Sequence, residues 1–307
     1  MKYLIYLLPL LIFIVVSSVR ELNEGALGTR SNPVKIYFTP SVDAKRISFN
    51  AKELTDFLEK ETGYYYITAV PASFVAVVEA FGSGKADIAS INTFSYLMAN
   101  YKYGTEARLR IVRDGDETSY RGQIITRVDS GIDNLSEIDG RKMAYVDPSS
   151  TSGYILPKAL LDRNDIHPGE TAFAMRHDNV VTMVYQKQVD AGATYSAPPD
   201  PETGEILDAR MRVLKQFPDV AEKIKIIGYT ERIPNDPWVF RKDMPEKMKD
   251  KIVEAILKYV KTPAGAKALY DIYDIRGLIK TVDSDYDGLR ALLKKENISF
   301  EKILKKK

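Results

Sequence analysis

The sequence predicts an α/β protein of two doubly wound lobes, each a sheet flanked by helices, joined by two strands that act as a hinge. Three observations carry this. At 307 residues and 34.6 kDa the chain exceeds one ordinary hydrophobic core. Short apolar, β-branched runs alternate with segments whose apolar residues fall at helical spacing, the pattern of crossover units on a parallel sheet. The alternation runs through one round and then a second.

The elements follow in order. Val34 to Phe38 reads as a strand ending at Thr39-Pro40-Ser41. From Ser48 to Glu61, Phe49, Leu54, Phe57 and Leu58 keep helical spacing, and Gly63 supplies a stop. Tyr64 to Val70 is a second strand. Ser73 caps a helix carrying Val75, Val77, Val78 and Phe81, which ends at Gly82-Ser83-Gly84, and Asp87 to Ile91 is the third strand. The second round has strands at Gln123–Val128, Lys142–Val146, Asp190–Tyr195 and Lys223–Ile227. Its helical segments lie at Leu135–Gly140, Thr151–Leu161 and Asn179–Lys187. Between them Ala197 to Arg212, with Pro198, Pro199, Pro201 and Gly204, reads as a surface excursion. Past Pro237 the chain turns helical over Pro245–Lys261 and Pro263–Tyr273, then ends in a charged tail closing on Lys305-Lys306-Lys307, a solvated terminus.

Residues Tyr3 to Val16 form an apolar run broken only by Pro9, preceded by Lys2 and followed by Ser17-Ser18. A basic residue, a short apolar centre and small residues behind it are the marks of a secretory signal peptide. The run is shorter than the roughly 20 residues a membrane span needs; retention as an uncleaved anchor is the alternative. The expected divisions are 1–18 signal peptide, 19–32 linker, 33–119 with 230–307 as lobe 1, and 120–229 as lobe 2, with crossings near Tyr120 and Tyr229.

Composition narrows the chemistry. The chain has no cysteine, which removes disulfides, thiolate metal sites, a lipoprotein anchor and a cysteine nucleophile. Two histidines, His167 and His177, leave little for a histidine-based metal centre, and neither metal nor cofactor is expected. Forty-four basic against 42 acidic residues leave a net charge of +2, without the basic excess of a nucleic-acid-binding surface.

The most informative segment is Asp147-Pro148-Ser149-Ser150-Thr151-Ser152-Gly153, where a strand ends and a helix begins inside four consecutive hydroxyl residues. The first turn of a helix has amide N–H groups without partners and the positive end of the macrodipole. Hydroxyls beside those amides form a cradle for a tetrahedral oxyanion without a lysine. A single serine there would be only a cap; four hydroxyls exceed what a cap needs. His177, ahead of a helix with Val180, Val181, Met183 and Val184, is either a cap-region residue or a donor to the anion. Asp236, between Pro234 and Pro237, is either a turn residue or an acceptor for a protonated oxygen, which would reject sulfate. Tyr120 opens the first crossing strand, and Phe74 and Tyr96 occupy helices of the first lobe as ligand wall or core.

These segments resemble the periplasmic phosphate/phosphite/phosphonate-binding receptors of ABC importers. The resemblance rests on four stretches: Val77–Ala80 through Gly84–Ala89 and Phe94-Ser95-Tyr96; Tyr120-Arg121-Gly122 with Val128–Ile132; Asp147–Tyr154; and His177-Asp178, Val189–Ala193 and Ile233–Pro237. It extends from about Val34 to Gly288. It implies the type II periplasmic binding protein fold, a clamp closing over a small oxyanion, with Ser150, Thr151 and Ser152 on the phosphorus oxygens and Tyr120, His177 and Asp236 completing the polar shell. It also implies a monomeric, extracytoplasmic protein without catalysis, delivering its ligand to a membrane permease. Two departures concern ligand identity: Phe74 stands where many members have tyrosine, and the insertion around Pro198 to Asp208 is not general in the family. The competing readings are an anion sensor for a membrane signalling partner and a phosphoesterase using Ser150 with His177. The latter lacks both a Gly-x-Ser-x-Gly elbow and a metal cluster.

Overall fold

The computed structural model describes residues 25–114, 117–200 and 203–301. The expected signal peptide, the start of the linker and the closing lysines lie outside the described residues.

Two sheets organise the chain. The first has six strands in the order β11-β4-β10-β3-β1-β2, namely β1 Val34–Phe38, β2 Tyr66–Ala69, β3 Ile88–Ser90, β4 Glu106–Val112, β10 Pro237–Phe240 and β11 Gly277–Lys280. The second has five in the order β7-β6-β8-β5-β9, namely β5 Ser119–Arg127, β6 Lys142–Tyr145, β7 Glu170–Phe173, β8 Ala191–Ser196 and β9 Ile224–Pro234. The expectation of parallel crossover units holds for β1 with β2 and β3, and for β6 with β7 and β8. The sheets as wholes are mixed, because β4, β10 and β11 pair antiparallel, as do β5 with β8 and β9. Four of these strands, β4, β5, β9 and β10, flank the two chain crossings. β9 stays in the second sheet until Pro234, so the return crossing falls after Tyr229, between Pro234 and Pro237.

Helices begin where the parallel strands end. α1 spans Ala44–Thr62, capped by Asp43, whose carboxylate accepts from the Lys45 and Arg46 amides, and stopped by Gly63 in the left-handed conformation. α2 is Phe74–Gly82, capped by Ser73; α3 is Thr93–Tyr103, capped by Asn92, which accepts from the Ser95 amide. In the second half come α4, Leu156–Arg163, and α5, His177–Tyr185. α6 is the short Val220–Lys223; α7, α8 and α9 span Glu246–Tyr259, Pro263–Tyr273 and Asp287–Lys295. Among the described residues no helix is long and apolar enough to cross a membrane.

Each half has its own core, and the halves meet. Ile36, Phe38, Leu54, Leu109, Trp238, Ile256 and Leu269 are fully buried around the first sheet. Ile124, Met143, Leu161 and Ala193 do the same for one face of the second. Two clusters draw on both halves. Ile155 and Leu156, from the loop and helix after β6, pack with Phe94, Leu97 and Met98 of α3. Phe74, the first residue of α2, packs with Val146, Val180 and Val181 across the divide.

Candidate functional site

The loop after β6 folds by local rules. The Asp147 carboxylate accepts from the Ser149 amide and hydroxyl, both at 2.8 Å, bending the chain back toward the sheet. The Ser150 hydroxyl then accepts from the Gly153 amide at 3.1 Å, capping the next turn. That turn, Thr151–Ile155, is wider than an α-turn: the Ile155 amide donates to the Ser150 carbonyl at 2.9 Å. Single wide turns of this kind at a helix start recur at functional sites. The amides of Thr151 and Ser152 open the turn and so have no acceptor within it. Gly153 is dictated by packing, since a Cβ there would lie 2.7 Å from Val146 Cβ.

This turn borders a small cavity of about 50 Å³ between the halves. Three helix beginnings reach it: Asn92, the cap of α3; Phe74, the first residue of α2; and His177, the first residue of α5. Such convergence places the positive ends of three helices around one space, an arrangement that favours an anion. Ser150 and Ser152 are 2% and 3% exposed and both line the cavity. Tyr120, Phe74, His177 and Asp236 line it as well.

Two residues expected at the ligand are placed differently. Thr151 does not line the cavity. Its hydroxyl donates to Asn92 Oδ1 at 2.9 Å and accepts from the Phe94 amide at 2.9 Å, so both its capacities are taken by α3. Tyr96 also lies away: its ring is buried edge-on against Tyr286, 5.0 Å between centroids, and its hydroxyl donates to Asp283. One helical turn separates Tyr96 from the cap of α3, enough to point it into the core rather than the cavity.

The electrostatics of the lining are specific. Burial, with Arg212 and Arg113 nearby, pushes the His177 imidazole down to about 3 and keeps it neutral at physiological pH. Its Nδ1 pairs with Thr194 Oγ1 at 2.8 Å, and Tyr195 packs edge-on to the ring. Burial raises the Asp236 carboxyl above the usual carboxylate range, opposed by Arg113 and by donors from Thr93 and Tyr120. Those bonds are Thr93 N and Oγ1 to Oδ1 at 3.3 and 3.2 Å, and the Tyr120 hydroxyl at 3.3 Å. Arg113 stands 3.9 Å from the same carboxylate.

Sequence reasoning missed the two arginines. Arg113 follows β4 and donates to the Tyr273 carbonyl at 2.5 Å while facing the Tyr120 ring. Arg212 lies at the end of the excursion that begins at Ala197, which is a surface segment only in part. Its close, the 3₁₀ turn Ala209–Val213, buries Ala209 and Val213 and brings Arg212 to the cavity. The cradle was expected to work without charged donors; two guanidinium groups border it. Neither arginine sits in a motif, and both arrive from segments far from Ser150 in the chain. Among the described residues no group of histidine and acidic side chains could hold a metal ion.

A two-lobed α/β binding protein, with its polar cavity at the ends of strands from both sheets, is the class this architecture defines. Comparison with known proteins gives the family. Residues 36–286 match the family described as "ABC transporter, phosphonate, periplasmic substrate-binding protein", and the chain belongs to it. Over 252 residues it is 25% identical to the "Phosphonates-binding periplasmic protein" of Escherichia coli, covering 80% of this chain and 68% of that one. Over 267 residues it is 23% identical to the "Phosphate-import protein PhnD" of Mycolicibacterium smegmatis, covering 82% of each. A crystal structure of a binding component of an ABC phosphonate transporter from Pseudomonas aeruginosa superposes with a TM-score of 0.75 at 20% identity, covering 86% of this chain and 87% of that one. PhnD1 from Prochlorococcus marinus, solved with methylphosphonate, gives a TM-score of 0.71 at 17% identity, covering 87% and 98%. The expected type II binding fold and the family resemblance both stand.

Proposed function

We propose that the chain captures a small phosphorus oxyanion, a phosphonate, phosphite or phosphate, in the cavity between its halves and delivers it to the permease of an ABC importer. Export from the cytoplasm, directed by the apolar segment Tyr3–Val16, belongs to the same reading. The observation that carries it is the meeting of Ser150, Ser152, the first residues of α2 and α5 and the cap of α3 around one cavity of about 50 Å³. The ligand is held by Ser150 and Ser152 with the opening amides of their turn, by the Tyr120 hydroxyl, and by neutral His177. Asp236 accepts a hydrogen bond from a P–OH group, or carries that proton itself, and so turns away sulfate, which has none at neutral pH. Contacts from both halves make the ligand favour the closed arrangement, because only differential contact shifts such an equilibrium.

Calorimetric titration with methylphosphonate, phosphite, phosphate and sulfate tests this. Saturable binding of one or more of the phosphorus anions, with none of sulfate, is expected. Ser152→Ala should weaken that binding about tenfold or more, the cost of removing one hydrogen bond to a charged group. Absence of heat with all three phosphorus anions would refute the assignment.

A further inference from the structure

Arg212 has a hydrogen-bonding capacity that the protein itself does not use. Its side chain is 6% exposed and lines the cavity. Nε donates to the Tyr195 hydroxyl at 3.2 Å, and Nη2 pairs with the Asp274 carboxylate. Nη1 is buried and has no partner. A buried guanidinium N–H without an acceptor is costly, and such groups in native proteins call for an explanation. The rest of the side chain is held in place, so this is not a loose arginine. Asp208, 2% exposed, caps the turn that carries it by accepting from the Arg210 amide at 2.9 Å, and the Arg210 guanidinium clasps the same carboxylate.

The charges around the cavity give the same direction. The lining holds two cations, Arg113 and Arg212, and Arg113 already gives Nη1 to the Tyr273 carbonyl and stands 3.9 Å from Asp236 through Nη2. An oxyanion that takes the free Nη1–H joins Asp274 on one guanidinium fork, the planar geometry that suits two oxygen partners at once.

We propose that Arg212 is a ligand-binding residue, donating Nη1–H to an oxygen of the bound anion, and that the excursion from Ala197 to Arg212 serves the site by supplying this charge. The inference rests on the oxyanion-binding reading above and adds to it a class of contact: a fixed guanidinium beside the hydroxyl and amide donors. Because Asp274 follows α8 in the first half and Arg212 belongs to the second, the same side chain joins ligand, insertion and both halves.

Arg212 could instead be a plain fastening between the halves, so the test separates the two roles with methylphosphonate as probe. Arg212→Gln should lower affinity at least tenfold, while Glu296→Gln, which removes an ion pair between the halves away from the cavity (Arg163 Nη1 to Glu296 Oε1, 2.9 Å), should stay within threefold of wild type. Circular dichroism and melting curves establish that both variants are folded; if Arg212→Gln is not, Arg212→Lys takes its place, with an intermediate loss expected. Equal weakening in the Arg212 and Glu296 variants assigns Arg212 to the fastening and overturns the inference. So does wild-type affinity in Arg212→Gln. If the wild-type protein binds none of methylphosphonate, phosphite and phosphate, the oxyanion reading itself fails and the inference with it; wild-type binding with an indifferent Arg212 variant fails the inference alone.

Discussion

The Thr151 hydroxyl, from the turn that borders the cavity, donates to Asn92, the cap residue of α3, across the gap between the two halves. Thr151 is 1% exposed and Asn92 7%, so the bond is made away from water, where a missing partner costs most. The hydroxyl thus ties the turn to the helix whose N-terminus shares the cavity with it. Thr151→Val should strand the Phe94 amide and leave Asn92 Oδ1 with the Ser95 amide alone, at a cost of about 1–3 kcal/mol. The expected outcome is weaker ligand binding with a more open unliganded protein, read as a larger radius of gyration in small-angle scattering. Unchanged affinity and size would show the tie to be idle.

Tyr96 gives the opposite expectation. Tyr96→Phe keeps the packing on Tyr286 and loses the hydrogen bond to Asp283. Affinity for any anion should stay within twofold of wild type, while stability falls by about 1 kcal/mol in denaturant titration. A selective loss of binding would put the tyrosine back at the ligand.

Gly153→Ala tests the packing that shapes the cradle. The added methyl would meet Val146, from which it could not move without displacing the wide turn. Overpacking of this kind costs about 1–3 kcal/mol, and the displaced amides should weaken binding as well. Restoring space with Val146→Ala in the same chain should recover part of the loss.

His177 and Asp236 make opposite contributions to acid stability. His177 titrates at about 3 in the folded protein against about 6.5 when exposed, so its share of stability is complete above the unfolded value. That share is lost as pH falls toward 3, because the unfolded chain takes the proton first. Asp236, raised in the folded protein, adds stability as pH falls through its folded value. His177→Gln should therefore flatten the loss of melting temperature between pH 7 and pH 4; an unchanged curve would mean the imidazole is not held neutral by burial.

Asp236→Asn should admit sulfate and shift the pH dependence of phosphorus-anion binding, measured by competition titration. Identical selectivity in the variant would leave Asp236 as a structural acceptor for Thr93 and Tyr120 alone.

How much of this was legible in the sequence differs by element. Strands such as Val34–Phe38, with strong β-branched character, and the helix before Gly63, with its glycine stop, carried local signals, and the structure has both. The cradle was legible because four adjacent hydroxyl residues concentrate the signal in one place. Glu106–Val112 escaped although Gly104 precedes it and Asp114-Gly115 follows it, because Glu106, Arg108 and Arg110 dilute its apolar signal; its order is fixed by pairing with Pro237–Phe240 far along the chain. Arg113 and Arg212 escaped for the same reason, since only long-range packing brings them to the cavity. Thr151 and Ser152 differ by one position in sequence and by the side of the turn they face, a distinction set by the wider turn after Ser150 and invisible in residue type.

Two ion pairs that join the halves outside the cavity differ from those inside. Arg176 meets Asp43 at 3.4 Å, and Arg163 meets Glu296 at 2.9 Å, in places where Asp43 is 55% and Arg163 36% exposed. Exposed pairs of this kind contribute little and fade with salt. Unlatching at the margin is therefore cheap, and the dwell time of a guest would be governed by the interior grip rather than by the jaws' outer edges. Release would then scarcely vary with ionic strength, even where the initial encounter does.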